Sequence, residues 1–176
     1  LPLSVDFEEK MYSVGKIPGG YLKREGKPSE KAILTSRVID RPLRPLFPKD
    51  LRNDVNIALT VLSVDNDCSP EITAMIGASI ALSISDIPWN GPIGGVFVGK
   101  VGEKFIINPT ADERANSDLQ LTVAATEKKV VMIEAGANEV SDSDMFAAIM
   151  LAHEEIKKLI VFINQIVSEI GKPKFS

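Results

Sequence analysis

Apolar and polar side chains alternate from the start of the chain, where Leu3, Val5 and Phe7 are separated by polar residues at the spacing of a half-buried strand. A domain seldom opens on a core strand with no lead-in, so strands that would precede this one are expected to be missing. Residues 15–26 read as a loop, broken by Gly15, Pro18, Gly19, Gly20 and Gly26, with Tyr21, Leu22, Lys23 and Arg24 at its tip. Ser29 then caps a short helix that is expected to stop near Arg41, because Pro42 disfavours helical geometry at the residue before it. Val55 to Val64 is dense in Ile, Leu and Val and predicts a buried strand.

Ser69-Pro70-Glu71 predicts the next helix start, with a cap, proline at the first helical position and an early acid. This helix carries Ile72, Met75, Ile76, Ser79 and Ile80, and its small residues Gly77, Ala78 and Ala81 suit close packing on a sheet. Two hairpins follow: residues 93–101 with 104–108 through Gly102, and residues 119–125 with 130–135. Residues 109–116 read as a polar connection between them. Ser141 to Ile170 predicts one long amphipathic helix of about 45 Å, started by Ser141 with Asp144 and ended by Gly171 and Pro173. Its expected buried stripe is Met145, Ile149, Ala152, Ile156, Leu159, Ile163, Ile166 and Ile170. Residues 1–176 read as one α/β (α+β) domain, a mixed β-sheet packed against helices.

Composition narrows the class. A single cysteine, Cys68, excludes an internal disulfide framework and a multi-cysteine zinc site, and points to a reducing compartment. No apolar run approaches the ~20 residues of a membrane span, and the mixed polarity of the first ten residues does not fit a signal peptide. A cytoplasmic protein without a membrane partner is expected.

Charge changes the picture further. The net charge of −4 alone argues against a polyanionic partner, yet residues 16–52 hold ten basic side chains against four acidic ones, a local excess of +6 that leaves −10 for the rest. Such asymmetry is the footprint of a polyanion-binding face. A merely solvated charged face accounts for the composition equally well. Arg37, Arg41 and Arg44 stand four and three residues apart, so the first two share a helix face and the third follows the proline. Guanidinium forks suit phosphate bidentately. Tyr21 beside Lys23 and Arg24 adds a ring for base stacking next to charges for a backbone, a pairing that suits single-stranded RNA. Tyr21, Lys23, Arg24, Arg37, Arg41 and Arg44 are therefore the candidate RNA-binding residues. Salt bridges to Glu30 and Asp40 are the competing use of the arginines.

Elsewhere candidate chemistry is thin. The lone His153 sits in the long helix with no nucleophile or metal partner in view, and a structural role is expected. Cys68 lacks a plausible base, and Gly91, Gly94 and Gly95 lack the Gly-Lys-Ser/Thr ending of a phosphate loop and read as a turn. Asp112, Glu113 and Asp118 are the acids that a self-sufficient metal-dependent nuclease would have to use.

At this point a resemblance enters. Gly15-Lys-Ile-Pro-Gly-Gly-Tyr-Leu-Lys-Arg-Glu-Gly-Lys-Pro-Ser-Glu30, continuing through Ser36-Arg-Val-Ile-Asp-Arg-Pro-Leu-Arg-Pro-Leu-Phe-Pro48, closely resembles the bacterial polynucleotide phosphorylase family. Ala74 to Ser79, Asn90 to Gly94, Asn108 to Thr110 and Gly171 to Pro173 match as well, so the likeness runs over essentially the whole chain. The resemblance implies an RNase PH-like fold, here the first of two such domains. It implies phosphorolytic 3′-to-5′ RNA degradation with Mg2+ and inorganic phosphate in the parent enzyme, within a homotrimeric ring. It also implies that the second RNase PH-like domain carries the catalytic residues.

Three departures matter. The family's channel loop carries two aromatics and two arginines, and Tyr21-Leu22-Lys23-Arg24 here keeps the charge but has Leu22 in place of an aromatic. The phosphate-binding serine turn of the active domain corresponds to Ser69-Pro70-Glu71, where Glu71 repels phosphate and Pro70 has no N–H to donate. Arg114, Gln120 and Thr122 fall where that domain places two aspartates and a lysine. The segment is thus expected to have no catalytic residues, no metal ligands and no bound cofactor, and to serve ring assembly and RNA threading. The alternatives are a purely structural ring subunit without RNA affinity and a self-sufficient metal-dependent nuclease.

Overall fold

The computed structural model describes residues 2–17, 19 and 27–176. Two sheets form the frame. Strands β1 (Leu3–Glu9) and β2 (Val55–Val61) pair in parallel, with Leu3 opposite Val55 and Glu9 opposite Val61. Parallel strands need a crossover, and it contains helix α1 (Glu30–Leu43), which packs on β1. Ser29 caps α1 as expected, its hydroxyl accepting the Ala32 N–H at 3.1 Å.

Helix α1 does not stop at Arg41. It runs through Pro42 to Leu43 and continues into a 3-10 turn over Arg44–Leu46. Proline removes one backbone bond near the end of the helix, and Pro42 and Leu43 are both buried in the core, so tertiary packing overrides the local preference. The first core joins α1, β1 and β2 through Phe7, Ile39, Leu43, Val55 and Ile57. Trp89 closes it, donating its indole N–H to the Leu43 carbonyl at 3.1 Å and meeting the Phe47 ring at a 6.3 Å centroid distance.

Helix α2 (Pro70–Ile84) begins at Pro70 as expected, but the Ser69 side chain makes no cap; its carbonyl instead accepts from Thr73. Farther along, Ser79 is fully buried and its hydroxyl both donates to the Ile93 carbonyl at 2.7 Å and accepts the Ile93 N–H at 2.9 Å. That pair of bonds fixes α2 to the entry of β3 (Gly94–Val101). Gly94 and Gly95 are therefore strand residues, not part of a turn. A Cβ on Gly95 would lie 2.5 Å from the Met75 sulfur, so the glycine lets α2 sit close to the sheet.

The two expected hairpins, β3 with β4 (Lys104–Ile107) and β5 (Leu119–Ala125) with β6 (Val130–Ala137), join side by side into one antiparallel sheet of order β4-β3-β5-β6. The β3–β5 pairing that joins them is non-local and has no signature in the sequence. The stretch read as a polar connection holds a short helix, α3 (Ala111–Ala115), started by a capping box between Thr110 and Glu113.

Helix α4 (Asp142–Ile170) lies across the sheet, its Ala148, Ala152, Ile156 and Ile160 packed on Val96, Val98, Leu119, Leu121 and Val123. The buried stripe is shifted from the expected one: Ala148 and Ile160 are buried, while Ile170 is 60% exposed. No residue from Asn164 onward is buried, so the apolar periodicity outlasts the sheet that could cover it. After α4 the tail returns to α2. Lys174 donates to the carbonyls of Leu82, Ser83 and Ser85, and Lys172 N–H to that of Ile84, so orphan carbonyls at the end of α2 find donors.

Two measurements check these contacts. Lys174→Met should lower unfolding free energy by about 1 kcal/mol in chemical denaturation, with Lys174→Arg recovering part of the loss. The Lys100–Asp144 pair at 2.9 Å ties β3 to α4, and this hydrogen bond lowers the Asp144 pKa and raises that of Lys100. A depressed carboxyl contributes stability above its unfolded value, near pH 4, and loses it as pH falls through the folded value. Lys100→Met should therefore lower the melting temperature at pH 7, and the gap to wild type should narrow toward pH 2.

Candidate functional site

The basic stretch divides into three fates. Tyr21, Lys23 and Arg24 lie outside the described residues. Arg37 and Arg41 stand on the outward face of α1, both exposed, and among the described residues neither makes a hydrogen bond or ion pair. Arg44 is engaged. It forms a fork with Asp40, Nε to Oδ1 at 2.7 Å and Nη2 to Oδ2 at 2.6 Å, and Nη2 also donates to the Leu3 carbonyl at 3.1 Å. Hydrogen bonding to Asp40 raises its pKa still further. Arg44 thus anchors α1 to β1 with much of its charge answered, while Arg37 and Arg41 present theirs to solvent.

On the next face of α1 a second feature opens, a cavity of about 540 Å³ between α1, the start of α2 and the sheet. Glu71, Arg114, Gln120 and Thr122, which the family resemblance aligns with a phosphorolytic centre, all line it. The fold therefore brings together residues as much as 51 positions apart in the sequence. Their chemistry is not that of a phosphate site. Glu71 places a carboxylate in the first turn of α2, where it accepts the Thr35 hydroxyl at 3.2 Å. Negative charge at a helix N-terminus is favourable for the helix and repels an anionic ligand from the same place.

Arg114 is a structural tie. Its Nη1 donates to the Pro109 carbonyl and its Nη2 to that of Asn66, both at 2.8 Å, joining α3 to the loop before α2. Asp67 reinforces the joint by accepting the Ala111 N–H at 3.0 Å. Gln120 and Thr122 are neutral and follow one another along one face of β5.

A divalent cation does not fit this set. Gln120 and Thr122 offer no anionic oxygen, Arg114 brings positive charge, the cavity's carboxylates are only Glu71 and Glu134, and no group of three or more His, Cys, Asp or Glu residues able to hold a metal occurs among the described residues. The acids of the rival metal site do not gather into one either. Glu113 accepts the Thr110 N–H at 3.1 Å in its capping box, and Asp118 lies by Asn138 and Glu139 instead of joining it.

His153 and Cys68 have no part in the cavity. His153 is half-buried, with Nε2 3.0 Å from the Thr126 carbonyl. A carbonyl only accepts, so Nε2 carries the proton and pins the β5–β6 turn to α4. Cys68 is exposed and unpaired in any disulfide. No helix of the described residues is long and apolar enough to cross a membrane.

Comparison with known proteins gives this arrangement its context. The model for domain 1 of the 3′ exoribonuclease family matches residues 1–88, and that for domain 2 matches residues 91–155. The chain is 67% identical over 175 residues to a polyribonucleotide nucleotidyltransferase of Ruminiclostridium cellulolyticum, covering 99% of this chain and 25% of the relative. It is 65% identical over 173 residues to that of Clostridioides difficile, covering 98% of this chain and 25% of the relative. The chain thus spans about a quarter of the length of the curated relatives it matches. Among solved structures, rice (Oryza sativa) Rrp46 superposes with a TM-score of 0.72 over 94% of this chain and 72% of that one, at 13% identity, a likeness of fold. Two family models in tandem, over the two layers that Ser79 joins, place the chain in the 3′ exoribonuclease family.

Proposed function

We propose that this chain is the first, non-catalytic RNase PH-like domain of a polyribonucleotide nucleotidyltransferase. That enzyme would shorten RNA from the 3′ end with inorganic phosphate, releasing nucleoside diphosphates, and would run in reverse as a polymerase. In this reading the parent enzyme uses Mg2+, works as a homotrimeric ring in the cytoplasm and takes part in mRNA decay. Catalysis belongs to a second RNase PH-like domain, and this one builds the ring and guides single-stranded RNA. Tyr21, Lys23, Arg24, Arg37 and Arg41 meet the strand, and Arg44 sets the angle of α1 more than it meets phosphate.

One observation carries the non-catalytic assignment: the cavity that aligns with a phosphorolytic centre has Glu71 at its helix N-terminus and neutral Gln120 and Thr122 on its sheet. Phosphoryl transfer needs a divalent ion held by a carboxylate set, and the two carboxylates here, Glu71 and Glu134, belong to no group of three or more metal-capable side chains among the described residues. RNA contact is supported by the two exposed, unpaired arginines on α1 within a stretch whose charge excess is +6. Guanidinium forks that no carboxylate occupies are matched to phosphate oxygens.

Incubation of this chain with poly(A), phosphate and Mg2+ tests the assignment. Retention of RNA without ADP release is the expected result; ADP release would defeat the inactivity, and no retention would leave a structural ring subunit. Arg37→Ala with Arg41→Ala should weaken RNA retention by roughly tenfold or more and flatten the salt dependence of log K by about 0.7 for each phosphate no longer neutralised. Lys23→Ala with Arg24→Ala should act in the same direction. An unchanged salt slope in both double variants would remove these residues from the strand path.

A further inference from the structure

We propose that the cavity between α1 and the sheet is a nucleobase site, one that takes an uncharged planar base and excludes phosphate. The floor is the sheet face turned toward α1. Cross-strand register places Phe97, Thr122 and Glu134 in one row and Gly99, Gln120 and Gly136 in the next. A Cβ built on Gly136 meets nothing within 4 Å, so the floor is bare and flat on that side of Gln120, while Pro109 and Ser117 cover Gly99 on the other. Leu34 and Val38 of α1 form an apolar wall opposite. A flat floor facing an apolar wall suits a ring system, and the cavity of about 540 Å³ is of ordinary size for a small-ligand site.

The polar groups point to the same class of ligand. Thr122 is 9% exposed, lines the cavity, and its hydroxyl has no hydrogen-bond partner among the described residues. That hydroxyl is open to the cavity and not sealed in the core, so Thr122 presents a free donor and acceptor to whatever occupies the space. Gln120, one row away, adds an amide that also both donates and accepts. Such paired groups match the edges of a nucleobase, where donors and acceptors stand side by side.

Charge excludes the anionic alternatives. Lys31 and Arg114 are balanced by Glu71 and Glu134, and both terminal nitrogens of Arg114 already donate to carbonyls. Phosphate would meet the Glu71 carboxylate at the helix start, next to a proline that has no N–H. Helical spacing sets Leu34 between Arg41 on the outward face and Val38 on the cavity face. A strand held on Arg37 and Arg41 therefore runs along the rim and can turn a base inward over Leu34. A free nucleoside satisfies the same cavity. The strand-borne form rests on the RNA reading above; the free-nucleoside form does not.

Photolabelling of the intact protein tests the site and separates the two sources. The probes are 8-azidoadenosine and a single-stranded oligoribonucleotide carrying 8-azidoadenine, with labelled peptides mapped by mass spectrometry. Labelling is expected in residues 31–38 and 119–136, competed by adenosine and unaffected by inorganic phosphate. Gln120→Leu and Thr122→Val should each reduce it roughly tenfold with melting temperatures unchanged, since Gln120 is exposed and valine matches threonine in shape. Labelling by both probes assigns a nucleoside site, and labelling by the oligonucleotide alone assigns a base on the strand. If Arg37→Ala with Arg41→Ala abolishes RNA retention while free 8-azidoadenosine still labels the cavity, the two proposals stand separately. No labelling of these segments by either probe, competition by phosphate equal to that by adenosine, or full labelling in both variants would overturn the site.

Discussion

One side chain couples the two layers of this fold. Ser79 gives its hydroxyl proton to the carbonyl of Ile93 and takes the N–H of the same residue, with no exposure to solvent. A buried strand entry with both backbone groups unanswered would be costly, and a buried hydroxyl likewise. Each satisfies the other. The bond pair stands where the first family match gives way to the second, so the orientation of α2 against the four-stranded sheet is settled there. The cavity walls follow from it, because Glu71 lies two turns upstream on the same helix and Gln120 and Thr122 lie on the strand next to β3.

The local elements were legible in the sequence, and their assembly was not. Alternation at Leu3, Val5 and Phe7 and the run of Ile, Leu and Val after Val55 are strand signals, and the parallel pair is where they pointed. The short helix at Ala111–Ala115 escaped a reading based on periodicity, since five residues make too few turns to show one. Its signal was present as Thr110 followed three residues later by Glu113, which is a capping box on sight. Pro42 misled in the opposite direction, because a helix that buries the residues around a proline can tolerate the loss of one bond near its end. The merging of two hairpins into one sheet depends on β3 meeting β5, which no local pattern encodes.

The basic stretch shows how far residue type alone can carry a site. Arg37, Arg41 and Arg44 look equivalent as a spacing pattern. In the fold they differ, because Asp40 stands four residues before Arg44 on the same helix turn and captures it in a two-point fork. That competitor was readable from the four-residue spacing. The Thr35–Glu71 contact was not, since it joins two helices 36 residues apart. The positions that the resemblance aligned with a phosphorolytic centre line one cavity, and two of them have taken up other work. Arg114 braces a loop, Glu71 settles a helix end, and Gln120 and Thr122 face the open space.

The close seat of α2 also makes tolerance to change uneven among positions that look alike. Gly95 and Gly77 both belong to the α2–β3 layer, one on the strand beneath and one on the helix above. A single added carbon at Gly95 would collide with the Met75 sulfur, whereas the same carbon at Gly77 meets nothing within 4 Å. Drift at Gly77 is sterically free and exchanges a flexible residue for a better helix former. Drift at Gly95 would lift a helix off its sheet, so the thickness of this layer is recorded in the chain as an atom that is not there.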